Sequence, residues 1–337
     1  MALKDIIGQE KAIGILQGIL QRRRLASAYL FAGEDGIGKR TAAINFAKAV
    51  NCLTTSHAHI DEPQVVSSTV LLASPAAAYD ACDACPSCHK IDAGTHPDVV
   101  TIEPEDRLIR TEEIRAIEES LSFRPFEGRR KVVIVDGADA MNLAAANTFL
   151  KTLEEPPANS LIILVTSRPD SLLPTIRSRC SRIIFHPLSL ASCRKILEGK
   201  VPAEAIMEAV RLSMGRPGLA VASDLREDRD WFVGLFKAML RAEKDAWADR
   251  KDMEKWFDLA LTLMRDLAVL KISGSPARLF NPDLTENLER LGKSVESKGI
   301  IELYKELSFI KAMLLFNLNK SLTWNYTASL LRKELAP

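Results

Sequence analysis

The stretch that most narrows the folds open to this chain is Gly33-Glu-Asp-Gly-Ile-Gly38-Lys39. It follows the apolar run Ala28-Tyr-Leu-Phe-Ala32, which reads as a buried strand, and precedes residues 41–50, whose composition is helical. Glycines at a strand-to-helix turn let backbone N–H groups converge on an anion, and a lysine there reaches the β- and γ-phosphates. A loop of this kind belongs on a parallel sheet flanked by helices. Residues 99–102, 131–136, 161–166 and 183–185 read as the other strands, with helices starting at Thr111 and spanning 140–153. Near-continuous β-branched runs are what strands covered on both faces require. Pro156-Pro157 stops the second of these helices, because the residue before a proline is pushed out of the α region.

Beyond Pro187 the strand-like runs cease. Residues 188–224 read as short helices that pass through Gly215-Arg-Pro-Gly218. From 225 to 337 the pattern is helical, and two stripes, Trp231, Leu235, Phe236, Met239, Leu240 and Trp256, Leu259, Leu263, Leu267, read as the lining of a bundle. The expected organisation is an α/β domain with a five-stranded parallel sheet (1–187), a small helical lid (188–224) and an all-α domain (225–337). At 337 residues, 47% apolar and 26% charged, the chain has material for two or three domains and is not a mainly disordered one. With 45 basic and 44 acidic residues there is no overall basic field, so any nucleic-acid contact must come from a local patch. Arg22-Arg-Arg24 closes a helix, where cations suit the dipole, and Arg129-Arg-Lys131 reads as solvated. No run reaches the ~18 apolar residues of a membrane helix, and the start lacks an apolar leader, so a soluble cytoplasmic protein is expected.

Two groups needed for hydrolysis are absent. A Ser or Thr after the loop lysine holds Mg²⁺ in related ATPases, but here that residue is Arg40. Thr41 lies about 100° further round the helix. The strand ending at Asp136 is followed by Gly137, where a hydrolase would carry a glutamate, and Asp139 would point in another direction. Gly33, Gly36, Gly38 and Lys39, with Asp136, are candidates for holding ATP or ADP without turning it over. Losing one transition-state charge group alone costs ~10³-fold.

Cys82, Cys85 and Cys88 form C-x2-C-x2-C, with Cys52 upstream across 29 intervening residues. Four thiolates close a tetrahedral zinc shell and leave no catalytic position, so the site reads as structural. A redox pair and free thiols are the alternatives, and His57, His59 or His89 could replace Cys52 as fourth ligand. Cys180 and Cys193 read as ordinary buried thiols. Residues 53–80, rich in Ser, Thr and Ala, read as an insertion.

Taken together, Ile6-Ile-Gly-Gln9, the phosphate loop with its cysteine set, Asn147-Thr-Phe-Leu-Lys-Thr-Leu-Glu-Glu-Pro-Pro157, Thr166-Ser-Arg-Pro-Asp170 and Ser178-Arg179-Cys180 resemble the AAA+ clamp-loader family of bacterial DNA polymerase III. The resemblance is strong over 1–220 and weaker beyond, where Asn317-Leu-Asn319 is similar to the family's collar domain. It implies a five-stranded AAA+ sheet, a helical lid and a collar that joins subunits into a ring. It also implies that Arg179 is an arginine finger, reaching ATP on a neighbouring subunit and worth ~10³–10⁵ in rate. Thr166 matches the sensor position on the fourth strand. The lid lacks the sensor arginine of the motor subunits: Leu219 stands there, and Arg216, before Pro217, is expected to point elsewhere. The implied function is a non-hydrolysing subunit acting with motor and delta-type subunits, a sliding clamp and primed DNA. The alternatives are an ATP-hydrolysing gamma/tau-type motor subunit, or a zinc-dependent nucleic-acid-binding module. Glu154-Glu155 ends a helix, where acids oppose the dipole, so contact with a partner competes there with simple solvation.

Overall fold

The computed structural model describes residues 1–54, 79–105, 108–222, 224–276, 279–316 and 318–335. Most of the expected insertion, with His57 and His59, lies outside the described residues, as does Asn317.

Five strands, β1 (Ala28–Ala32), β2 (Val99–Ile102), β3 (Lys131–Asp136), β4 (Ser160–Thr166) and β5 (Ser181–Ile184), form one parallel sheet in the order β2-β3-β4-β1-β5. The register sets Ala32 beside Thr166, and Asp136 beside Val165. All three sequence features that speak of phosphate chemistry therefore emerge at one edge, the carboxyl ends of the strands, where open α/β sheets bind ligands. Interleaved with the strands are α1 (Glu10–Arg22), α2 (Lys39–Asn51), α3 (Pro86–Asp92), α4 (Thr111–Ser122), α5 (Leu143–Glu154), the short α6 (Pro174–Arg177) and α7 (Leu190–Leu197).

Both faces of the central strands β1, β3 and β4 are buried, which is why their runs carry no polar alternation, while the edge strands β2 and β5 are partly exposed. Ala28 and Leu30 join Val133, Val135, Ile162 and Leu164 on one face, against Ile114, Ile117 and Leu121 of α4 and Phe149 and Leu153 of α5. Tyr29 and Phe31 point the other way. Tyr29 meets Phe46 of α2 edge-on at 5.5 Å, and Phe31 lies 5.2 Å from Phe185. The five-stranded α/β expectation holds, with β5 starting and ending slightly earlier than its apolar run.

Residues 1–196 and 215–219 make one compact unit; residues 197–214 and 220–337 make the second. The second contains α8 (Ile206–Leu212), α10 (Leu225–Leu240), α11 (Arg250–Ser273), α12 (Thr285–Ser294), α13 (Ser297–Met313) and α14 (Lys320–Leu335), while α9 (Pro217–Ala222) is shared. Its core is aromatic: Trp247 meets Trp324 edge-on at 5.0 Å and Trp256 at 5.7 Å, and Phe232 lies 5.5 Å from Trp256. The inward stripe of α10 is Phe232, Phe236 and Met239, one residue round from Trp231, which sits half out beneath the Lys255 ammonium. Asp266 is a fully buried carboxylate that accepts from the backbone N–H groups of Phe280 and Asn281, at 3.0 and 2.9 Å, and from Asn281 Nδ2. It ties an irregular segment to α11.

Candidate functional site

The phosphate loop connects β1 to α2. Gly33, Gly36 and Gly38 all have positive φ, at 153°, 76° and 96°, conformations that only glycine adopts without strain. Lys39 is buried and folded back on its own loop: Nζ donates to the carbonyls of Gly33 (2.7 Å) and Glu34 (2.6 Å). Burial pushes this ammonium below the ordinary lysine range, against the pull of Asp35, Asp136 and Asp139.

Arg40 does more than omit a metal ligand. Its guanidinium pairs with Glu103 and lies 3.8 Å from Asp136, so a cationic side chain stands beside that carboxylate. Burial pushes the Asp136 carboxyl up, Arg40 pulls it down, and Glu103 pushes it up again. The residue after it is equally committed. Gly137 has φ +76°, and a Cβ there would come within 2.9 Å of Pro104 Cγ. A glutamate at this position would need a different local backbone. Asp139 is held elsewhere, accepting from Thr166 Oγ1 at 2.6 Å and Arg168 Nε at 3.0 Å. Thr166, at the end of β4, is spent on that bond.

The segment 215–219 lies on the loop. Gly218 N donates to Gly36 O at 2.9 Å, and a Cβ on Gly218 would sit 2.8 Å from Gly36 Cα. Arg216, expected to point elsewhere, is 3.5 Å from Glu34 in the loop. It meets a loop carboxylate.

The four cysteines Cys52, Cys82, Cys85 and Cys88 converge, with all Sγ atoms within 4.8 Å of one another. Cys52–Cys85 and Cys82–Cys88 are each 4.0 Å apart. Thiolates on zinc at about 2.3 Å in a tetrahedron stand about 3.8 Å apart, so the set fits such an ion with small adjustment. Cys85 N–H donates to Cys82 Sγ at 3.3 Å, giving that sulfur a backbone donor. A hydrogen bond from the Cys88 thiol, outweighing burial, holds the Cys52 thiol below the usual range. Cys52 is thus part of the group, and His89 is not. Cys180 and Cys193 are buried apart from it.

The surroundings of this group were largely illegible in the sequence. Lys48, fully buried, donates to Asp92 at 2.7 Å and pairs with Asp83, which lies between two of the cysteines. Asp80 accepts from the backbone of Leu3 (3.0 Å) and Lys4 (2.9 Å), and Ala2 packs against Cys52, Cys85 and Cys88. Arg129 is half-buried: Nη2 reaches Leu53 O at 3.5 Å, and burial lowers its pKa against the pull of Cys52 and Cys85. Arg130 reaches Ser160 O at 3.4 Å, and Lys131 lies 3.6 Å from Asp98. The one hint was that basic residues abut a strand that is covered on both faces.

Ser178-Arg179-Cys180 follows α6. Cys180 is buried and anchors the segment, while the Arg179 side chain is one-third exposed, at 34%. Its Nη2 donates to Glu154 at 2.6 Å and its Nη1 to Thr175 O at 2.9 Å.

A parallel sheet in this strand order, with a phosphate loop after β1, an acid ending β3 and a polar residue ending β4, defines an AAA+ protein. A family model described as DNA polymerase III, delta subunit, matches residues 8–189. The DNA polymerase III subunit delta' of Pseudomonas aeruginosa is 35% identical over 253 residues, covering 73% of this chain and 70% of that protein. The Bacillus subtilis subunit delta' is 28% identical over 304 residues, covering 84% and 83%. The Bacillus subtilis subunit tau is 37% identical over 182 residues, but these are 54% of this chain and 28% of that protein. The chain belongs to the DNA polymerase III delta-subunit family of clamp-loader proteins, on its delta-prime side. Among the described residues no helix is long and apolar enough to cross a membrane.

Proposed function

We propose that this subunit does not hydrolyse ATP and completes the active site of a neighbouring motor subunit with Arg179, within a clamp-loader hetero-oligomer that places a sliding clamp on primed DNA. One observation carries the silent half of this reading. Arg40 stands at Asp136 where a divalent cation belongs, next to a Gly137 backbone that leaves no room for a base. Phosphoryl transfer relies on metal and positioned charge, so a site lacking both has little to offer the transition state. The phosphate loop keeps its glycines and Lys39, which supports retention of ATP or ADP without turnover. The trans half rests on an exposed guanidinium following α6, in a family whose tau members are also relatives of this chain.

The cysteine group is proposed to hold one structural Zn²⁺, bound by Cys52, Cys82, Cys85 and Cys88. Its role is to pin the segment around residues 80–92 to α2. The arrangement of 188–224 as a lid and 225–337 as a collar is likewise part of this proposal.

The test is the ATPase of the loader reassembled with its motor subunits and clamp, carrying Arg179→Ala in this chain. Turnover at the one site it completes should fall by ~10³-fold or more, so the loader loses that site's share of DNA-stimulated ATPase. Unchanged turnover refutes the finger. The motor alternative makes the opposite prediction, that the isolated chain turns over Mg-ATP at rates close to those of the loader.

A further inference from the structure

Sequence alone left Glu154 unexplained, as an acid at a helix end that disfavours it. Negative charge in the last turn of α5 opposes the partial charge of the unpaired carbonyls. Glu155 and then two helix-breaking prolines follow, so α5 ends at Glu154 and the carboxylate stays in its last turn. In the structure its Oε1 receives Nη2 of Arg179 at 2.6 Å, while Thr175 O receives Nη1 at 2.9 Å. We infer that Glu154 is a positioning residue for Arg179, fixing the plane of the guanidinium before a neighbour's nucleotide arrives. The inference rests on the trans role of Arg179 proposed above.

The geometry fits this assignment better than a chance surface pair. A guanidinium offers five donors in a rigid plane, and two contacts on adjacent nitrogens, one to a carboxylate and one to a backbone carbonyl, determine that plane. The remaining donors stay free to meet anionic oxygens. The acceptors come from two places whose own positions are fixed. Glu154 is set by α5, whose N-terminus is capped by Asn142 Oδ1 accepting from Ala145 N at 2.7 Å. Thr175 is set in α6, beside a buried Ile176. The adjacent Arg177 is engaged separately with Asp170, so it does not compete for Glu154. An arginine held this way loses less freedom when it meets the phosphate, an advantage that appears in turnover rather than in nucleotide affinity.

The experiment compares Glu154→Ala, Glu154→Gln, Glu154→Asp and Arg179→Ala in the reassembled loader, reading kcat and KM for ATP with DNA and clamp present. Expected for Glu154→Ala is a kcat loss of ~10-fold with KM unchanged within about twofold, since misplacement by an ångström is costly. Glu154→Gln, which keeps one acceptor, should retain more activity than Glu154→Ala. Thermal melting of the isolated subunit should not move for any of them, because exposed pairs contribute little. If Arg179→Ala lowers turnover while Glu154→Ala does not, or if Glu154→Ala raises it, the positioning role is wrong and the finger survives. If Arg179→Ala has no effect, the finger itself fails. Loss of activity by Glu154→Ala accompanied by a lowered melting temperature would also overturn the assignment, in favour of a folding role.

Discussion

At the level of single residues, the silence proposed for this site rests on two separate features. Arg40 pairs with Asp136, and Gly137 takes a left-handed backbone with no room for a larger side chain. Arg40→Thr should restore a hydroxyl for Mg²⁺ and free Asp136, so a fluorescent ADP analogue should bind more tightly with Mg²⁺ than with EDTA. Hydrolysis should stay at background because Gly137 is untouched; titration and a phosphate-release assay check both halves. The substitution of Arg40 was plain in the sequence, as was the missing glutamate. What the sequence could not convey was the answer each position had found: that Arg40 would reach Asp136 and Glu103, and that Gly137 would take a left-handed backbone beneath Pro104. Those facts depend on residues about 35 to 100 positions away. At Leu219, where motor subunits carry a sensor arginine, the contact with the loop is made by the preceding backbone, Gly218 N–H to Gly36 O at 2.9 Å.

At the level of elements, Asp98 organises the connection from α4 to β3. Its buried carboxylate accepts from the N–H groups of Phe126, Glu127 and Gly128 at 2.8, 2.8 and 2.7 Å. Burial pushes its pKa up, but these donors and Lys131 hold it below the ordinary value. A carboxylate with a depressed folded pKa stabilises the native state above its unfolded pKa, about 3.9, and loses that contribution as pH falls through the folded value. The stability gap between wild type and Asp98→Asn, measured by urea titration, should therefore be full at pH 6–7 and shrink below about pH 4. Asp266 plays a similar part in the helical unit. Asp266→Ala should cost about 3 kcal/mol, since it strands three donors in the core. Elements were legible wherever one type of residue ran unbroken: all five strands and the helices α2, α4 and α5 follow apolar runs and stop signals, whereas the short α3 and α6 gave no such signal. The α10 stripe of the sequence holds Phe236 and Met239 of the core, with Trp231, Leu235 and Leu240 packed at its edge; it omits Phe232, because Trp231 and Phe232 are both aromatic and only packing chooses between them. Trp247 sits in no helix and gave no periodic signal, though it is central to the aromatic core.

For the whole molecule, the cysteine group should decide whether the sheet unit holds together at its edge. The isolated subunit should carry one zinc per chain by elemental analysis. A strong chelator or Cys88→Ser should lower its melting temperature markedly, since such sites contribute ~10 kcal/mol of binding energy to the folded state. A melting curve insensitive to chelation would rule out the structural zinc. The Gly137 backbone carries one more implication, for anyone wishing to convert this subunit into a motor. Grafting a glutamate there first would jam a side chain into Pro104 and leave Arg40 beside Asp136, so the intermediate would gain strain and no activity. A successful route must rebuild the turn after β3 and vacate the cation position in the same step, which makes the conversion an all-or-nothing redesign rather than a sequence of small gains.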